Sequence, residues 1–252
     1  MTNKFGADFR VGYNQLLPDS TLTLAGLMSY VQESSFLHTN SIPGAFDYYA
    51  EKGLVWVLTH WQVEIYKYPK VSDIINVSTW PSAFKGYFGE RGYEVLSAAS
   101  GERLLAANSN WILLDANAQK PARPDSYILE KYGQTHPLLI DKNFAMPKHD
   151  DFELVCEHAY APTRRDMDTN MHVNNVSYLK WLYDFVPEDV YCNFVPKSLR
   201  VTYKKQTLPN DCLSIKIYKK MLGNEIHLHA TIEKEGVLAT EINSVWHTLI
   251  KN

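Results

Sequence analysis

Two segments far apart in the chain end on the same tetrapeptide pattern. GERLLAANSNW (101–111) and GVLATEINSVW (236–246) both run from Gly to Trp in the same number of steps and close on N-S-x-W. Upstream, each is preceded by a Ser-Tyr pair, Ser29-Tyr30 and Ser177-Tyr178, and then by a Pro followed by an Asp, Pro69…Asp73 and Pro209…Asp211. Three matches in one order point to a duplicated unit of ~100–130 residues, the size of one ordinary domain. The spacing between matches shrinks along the chain, which implies extra residues in the first copy, chiefly around 38–53. A duplicated chain can fold only as two similar units or as one structure that closes on itself.

Strand candidates fall at 55–68, 73–84, 87–98 and 103–115, and again at 197–208, 212–222, 225–236 and 238–250. They are loosely alternating, rich in aromatic and β-branched residues, and separated by Pro, Gly, Asn and Asp. Helix periodicity comes early in each copy, at 22–37 and 173–186. In the latter, Val176, Leu179, Tyr183 and Val186 form one apolar stripe. Residues 117–151 carry Pro121, Pro124, Pro137 and Pro147 and read as a connection with a short helix near 126–132. The expected class is α+β, with each antiparallel sheet wrapped around a long helix; one large β-barrel is the alternative. The expected boundaries are 1–120, a linker at 121–150, and 151–252.

Composition narrows the function. A net charge of −3 gives no global attraction to nucleic acid or an anionic membrane. Three cysteines without CxxC spacing argue against a disulfide framework or zinc site and suit a reducing cytoplasm. The N-terminal MTNKFGADFRVGYNQ lacks a signal-peptide core, and no apolar run approaches the roughly 18–20 residues of a membrane span. No G-x-S-x-G, G-x-G-x-x-G or G-K-[ST] occurs. His227 and His229 share a strand face, but no third ligand is evident, so neither a metal nor a cofactor is expected.

The densest concentration of hydrogen-bonding side chains is DMDTNMHVNNVSYLKWL (166–182), set against the second helix. Its plain reading is a capped helix start, because Asn and Asp accept from free N–H groups there. The same residues also meet D-x-N-x-H-V-N-N-x-x-Y through Asp168, Asn170, His172, Val173, Asn174, Asn175 and Tyr178. With the duplication, this resembles the acyl-acyl-carrier-protein thioesterases, and the resemblance covers nearly the whole chain. It implies a tandem (double) hot-dog fold and hydrolysis of fatty acyl thioesters carried on phosphopantetheine. One departure stands out. Where the family reads Y-R-R-E-C, this chain has YKKQT, with Gln206 and Thr207 at the Glu and Cys positions. Gln has no titratable proton and Thr is a poor nucleophile without strong activation.

The chemistry implied by the resemblance therefore rests on Asp168, Asn170 and His172. His172 would take a proton from water and the Asn170 amide would donate to the carbonyl oxygen. Asp168 would orient His172 or activate the water itself, and Gln206 would at most position a water or carbonyl. Asn174 and Asn175 read as helix-start residues beside the substrate. In the first copy, Asp19 and Ser20 are candidate caps, and Leu24, Leu27, Met28 and Val31 would line an acyl pocket or simply form core. An acidic carrier protein calls for a basic surface, for which Arg164, Arg165, Lys197, Arg200, Lys204 and Lys205 are candidates. An acyl-CoA thioesterase, a hot-dog dehydratase and a non-enzymatic acyl-thioester binder are the alternatives. Pairing into a homodimer stays open.

Overall fold

The computed structural model describes residues 4–249. The outer ends of the two expected halves, 1–3 and 250–252, and the last residue of the 238–250 strand candidate lie outside the described residues. The chain divides into two compact units, the first ending at Lys142 and the second beginning at Asn143.

The first unit runs β1 (Phe5–Arg10), a 3-10 turn (Tyr13–Gln15), α1 (Leu24–Ser41), α2 (Ala45–Lys52), β2 (Leu54–Ile65), β3 (Ile74–Lys85), β4 (Phe88–Ser97), β5 (Arg103–Asp115), β6 (Lys120–Pro121) and α3 (Ser126–Tyr132). Its antiparallel order is β1-β3-β4-β5-β2, with β6 on β5. The second unit runs β7 (Glu153–Tyr160), a 3-10 turn (Arg164–Asp166), α4 (Ser177–Phe185), α5 (Glu188–Asn193), β8 (Phe194–Tyr203), β9 (Leu213–Leu222), β10 (Glu225–Lys234) and β11 (Val237–Thr248). Its antiparallel order, β7-β9-β10-β11-β8, is the first order strand for strand.

The repeated tetrapeptide does the same work twice. Residues two apart on a strand share a face, so Ser109 Oγ accepts from the Trp111 indole at 2.6 Å and Ser244 Oγ from the Trp246 indole at 2.8 Å. The glycines that open the two segments, Gly101 and Gly236, have φ of 72° and 73° in the turns before β5 and β11. A side chain is disfavoured there.

The aspartate match also holds. Asp73 Oδ2 accepts from Lys70 N, and Asp211 Oδ2 from Leu208 N, each at 2.8 Å. The residue before each, Ser72 and Asn210, is left-handed at φ 69° and 68°. The prolines are not equivalent: Pro69 sits ahead of its turn and Pro209 inside it. The Ser-Tyr pairs do not correspond either. Ser177 opens α4, whereas Ser29 lies inside α1 and bonds Ala25 O.

Three expectations shift for physical reasons. The second helix starts at Ser177 rather than 173, because Asn174 and Val173 are held by backbone bonds outside it. It stops at Phe185, and Pro187 then opens the separate α5. The sheet of the second unit therefore packs on a short helix, while α1 is the long one. Strands β1 and β7 gave no clear alternating signal. Both are edge strands with no buried residue, so neither needs an apolar face.

The expected linker is partly first unit. Ile128 and Tyr132 of α3 are buried with Leu113. Trp80 donates to Pro137 O, Asn108 to Ile140 O and Gln62 to Asp141 O. The extra residues expected around 38–53 are the end of α1 and all of α2.

Each unit has its own core. In the first, Leu24, Leu27, Met28 and Val31 are fully buried with Val63, Val77 and Tyr93. In the second, Leu179, Trp181 and Leu182 of α4 are buried, as are Leu228 and Trp246 of the sheet, and the Tyr183 ring of α4 packs on Trp246. Fully burying one such side chain contributes about 1.5–3 kcal/mol. Among the described residues no helix is long and apolar enough to cross a membrane, and Cys156, Cys192 and Cys212 are free thiols.

Candidate active site

The polar motif forms a short closed loop between the 3-10 turn and α4. Asp168 N donates to His172 O at 2.8 Å and Met171 N donates to Asp168 O at 3.1 Å, with Met171 left-handed at φ 60°. Met167 and Val173 pair as an isolated bridge. Inside this loop Asp168 Oδ1 accepts from the backbone N–H of Asn170 at 2.8 Å and of His172 at 3.1 Å. Asp168 is thus bonded to the backbone of His172, not to its ring. The two residues it fixes are those whose side chains are left over: Asn170 is exposed and His172 half-buried. Among the described residues no hydrogen bond restrains the Asn170 amide or the His172 imidazole.

A buried carboxylate anchors the loop from behind. Asp166 Oδ2 accepts from Tyr160 Oη at 3.1 Å, Thr163 N at 2.7 Å and Thr163 Oγ1 at 2.8 Å, while Oδ1 accepts from Trp181 Nε1 at 3.1 Å. Its carbonyl takes Asn174 N and Ser177 Oγ. Asp166 is 6% exposed. Four donors on its carboxylate meet the cost of burying that charge. The T-x-x-D spacing of Thr163 and Asp166 is a capping-box signal legible in the sequence.

Asn174 and Asn175 divide the remaining work. Asn174 Oδ1 accepts from Val176 N at 2.9 Å, so its side chain caps the turn into α4. Asn175 O accepts from Tyr203 Oη at 2.9 Å.

The first unit contains the same loop with other side chains. Leu17 N donates to Thr21 O at 2.7 Å, Ser20 N donates to Leu17 O at 2.9 Å, Ser20 is left-handed at φ 66°, and Leu16 bridges Leu22. Thr23 N bonds Gln15 O as Asn174 N bonds Asp166 O. Leu17, Asp19 and Thr21 therefore stand where the second unit has Asp168, Asn170 and His172. Asp19 caps this loop, accepting from Thr21 N and Oγ1, and Thr23 rather than Asp19 or Ser20 caps α1.

Family models match both units. The N-terminal domain model of the acyl-ACP thioesterases matches residues 2–132 and the C-terminal domain model matches 150–248. The chain belongs to the acyl-ACP thioesterase family. It is 28% identical over 214 residues to a chloroplastic palmitoyl-acyl carrier protein thioesterase of Gossypium hirsutum, covering 80% of this chain and 52% of that protein. It is 26% identical over 219 residues to the chloroplastic oleoyl-acyl carrier protein thioesterase 2 of Arabidopsis thaliana, covering 81% and 58%. The chain thus spans about half the length of the curated relatives it matches. Among solved structures, the 12:0-ACP thioesterase from Umbellularia californica superposes with TM-score 0.86 at 18% identity over 98% of this chain and 95% of that one. An acyl-ACP thioesterase from Bacteroides thetaiotaomicron gives 0.83 at 20% identity over 97% and 98%. The fold is the tandem hot-dog.

Within this thioesterase-family chain, the departing pair sits beside the loop, since Val173 N donates to Thr207 O at 3.0 Å. Thr207 is 1% exposed and its Oγ1 accepts from Tyr178 Oη at 2.8 Å. A hydroxyl shielded in this way is a packing group. Gln206 is exposed. Burial, more than any other cause, raises the Tyr178 phenol above its ordinary range, so it stays the donor.

The expected basic residues separate. Arg164 and Arg165 are exposed and line an open depression of about 660 Å³, with Tyr160, Trp181, Asp184 and a further cation, Lys180. Lys180 carries no sequence signal beyond an exposed helix position. Burial first, then the neighbouring Asp166, raises the Asp184 carboxyl. Arg200 donates to Ala145 O at 3.2 Å and Lys204 pairs with Glu241 at 3.0 Å, so both are engaged in the fold. Lys197 and Lys205 are exposed. Lys204 and Lys205 lie past the end of β8, where both backbone N–H groups bond Ala239 O, so strand alternation does not separate them.

Proposed function

We propose that the chain hydrolyses fatty acyl thioesters of acyl carrier protein to free fatty acid, with water as the nucleophile. The observation that carries the reading is the Asp168–His172 loop, in which one carboxylate fixes two backbone positions and leaves an amide and an imidazole unrestrained. His172 takes the proton as water attacks the thioester carbonyl. Asn170 donates to the oxygen that gains charge, a contribution of about 3–4 kcal/mol for one such donor. The thiolate leaves with little acid help because thiols ionise near pH ~8.5. Asp168 serves as a positioning residue. Gln206, exposed beside the loop, has at most the part of orienting a water.

Arg164, Arg165 and Lys180 border the depression beside this loop and give an acidic carrier protein its docking surface. Leu24, Leu27, Met28 and Val31 act as core of the first unit. Free thiols suit a reducing compartment such as the cytoplasm.

The test compares kcat/KM for one acyl group presented on carrier protein and on CoA. The carrier-protein form is the better substrate, and Arg165→Glu raises its KM without lowering kcat. A strong preference for CoA overturns the reading.

A further inference from the structure

Opposite the apolar face of the second sheet, three side chains from three segments converge. His229 on β10, Glu241 on β11 and His149 on the segment leading into β7 bring one donor atom each within 4.8 Å of one another. Strand alternation and the antiparallel register explain two of them: Thr231 is paired with Glu241, and His229 lies two residues away on the same face. His149 closes the group from a stretch without regular structure and stacks on His229 with ring centroids 3.5 Å apart.

His229 is anomalous as a core histidine. It is fully buried, yet neither ring nitrogen has a hydrogen-bond partner. Leaving a buried polar atom unpaired costs about 1–3 kcal/mol. The nearest acceptor, Glu241 Oε1, stands 3.4 Å from His229 Nε2, beyond the usual hydrogen-bond range. That distance fits a different purpose. Two ligands of a tetrahedral ion with bonds of about 2.0–2.2 Å are separated by roughly 3.4 Å. The neutral imidazole is the form that binds metals. Lys204 holds the other oxygen, Glu241 Oε2, at 3.0 Å and fixes the carboxylate so that Oε1 faces the histidine.

We propose that His149, His229 and Glu241 form a binding site for a divalent transition-metal ion of the zinc class. The two imidazoles and one carboxylate supply three positions and water the fourth. The stacked rings are nearly parallel, 11° apart, so their in-plane donors reach one ion only after one ring turns. His149, half-buried on an irregular segment, supplies that rotation. The ion would fasten this segment to the sheet of the second unit. The site uses none of the residues of the proposed hydrolytic loop.

The test uses the full chain stripped with chelator, equilibrium dialysis against Zn²⁺ near neutral pH, and metal analysis of the bound fraction. Wild type takes up one zinc per chain and its Tm rises on zinc addition. His149→Ala, a substitution at a half-buried surface position, weakens binding at least about tenfold, since even an outer-shell partner is worth that much, and it abolishes the Tm response. Co²⁺ in place of zinc gives a tetrahedral absorption spectrum in wild type only. His227→Ala, at the neighbouring histidine that faces Glu225, binds as wild type does. A wild-type chain that takes up no zinc overturns the proposal, and so does a His149→Ala variant that binds with unchanged affinity and Tm response.

Discussion

The two units close the same loop with the same backbone bonds and the same left-handed residue, but only one presents groups suited to chemistry. In both, an aspartate carboxylate caps the N–H of the loop's fifth residue. It comes from Asp19 to Thr21 in the first unit and from Asp168 to His172 in the second. Moving the capping aspartate from the third loop position to the first frees the third for an amide, Asn170, and lets one carboxylate hold two N–H groups instead of one. The difference teaches that the loop is a structural device of the fold. In the proposed reaction, what the loop offers depends on which position carries the cap.

Exchanging the residues that differ tests that comparison. The largest effect is expected at His172. His172→Thr, which installs the first unit's residue, lowers kcat by roughly 10²–10⁴, the usual contribution of a positioned base. Thr21→Ala at the matching position leaves kcat within a few-fold, and equal losses at both would break the comparison. Next comes the cap. Asp168→Ala removes the acceptor of the exposed Asn170 N–H and the half-buried His172 N–H, costing about 1 kcal/mol of stability and at least about tenfold in kcat as the loop loosens. Asp19→Ala costs stability alone, read by denaturant unfolding beside an activity assay. At Thr207→Ala the loss is smaller still: activity stays within a few-fold, and stability falls by about 1 kcal/mol because the Tyr178 hydroxyl loses its acceptor.

A last difference is pH dependence. Burial, then the adjacent Arg91, lowers the pKa of His38 in the first unit to about 3 from 6.5. Between those values the unfolded chain binds a proton that the folded chain does not, so this contribution is complete above pH 6.5 and is lost as pH falls towards 3. His38→Gln flattens the acid limb of Tm against pH. An unchanged limb would remove His38 as its source.

Much of this was legible in the residues. The duplication showed through Gly101 and Gly236, through Ser109–Trp111 and Ser244–Trp246, and through Asp73 and Asp211, because each sits in a turn or beside an indole N–H that it accepts from. The Ser-Tyr pairs misled: two-letter matches inside helices recur by chance, and these sit at different helix positions. The loop equivalence was hidden because it is written in backbone bonds; Leu17 and Asp168 share a place without sharing chemistry. Strands β1 and β7 were silent because edge strands bury no residue. Asp166 was within reach through its capping box, whereas His149 could not be paired with His229 and Glu241 before the fold brought three distant segments together.

The central claim is that water, activated at the His172 loop, attacks the thioester directly, and that the residue standing at the family's cysteine position takes no covalent part. A single-turnover reaction on acyl-carrier protein, acid-quenched at intervals and read by intact mass, tests it most directly. The account predicts that free acid appears as fast as the thioester disappears, with the mass of the chain unchanged throughout. A chain made heavier by one acyl group, with free acid lagging behind thioester loss, would contradict it.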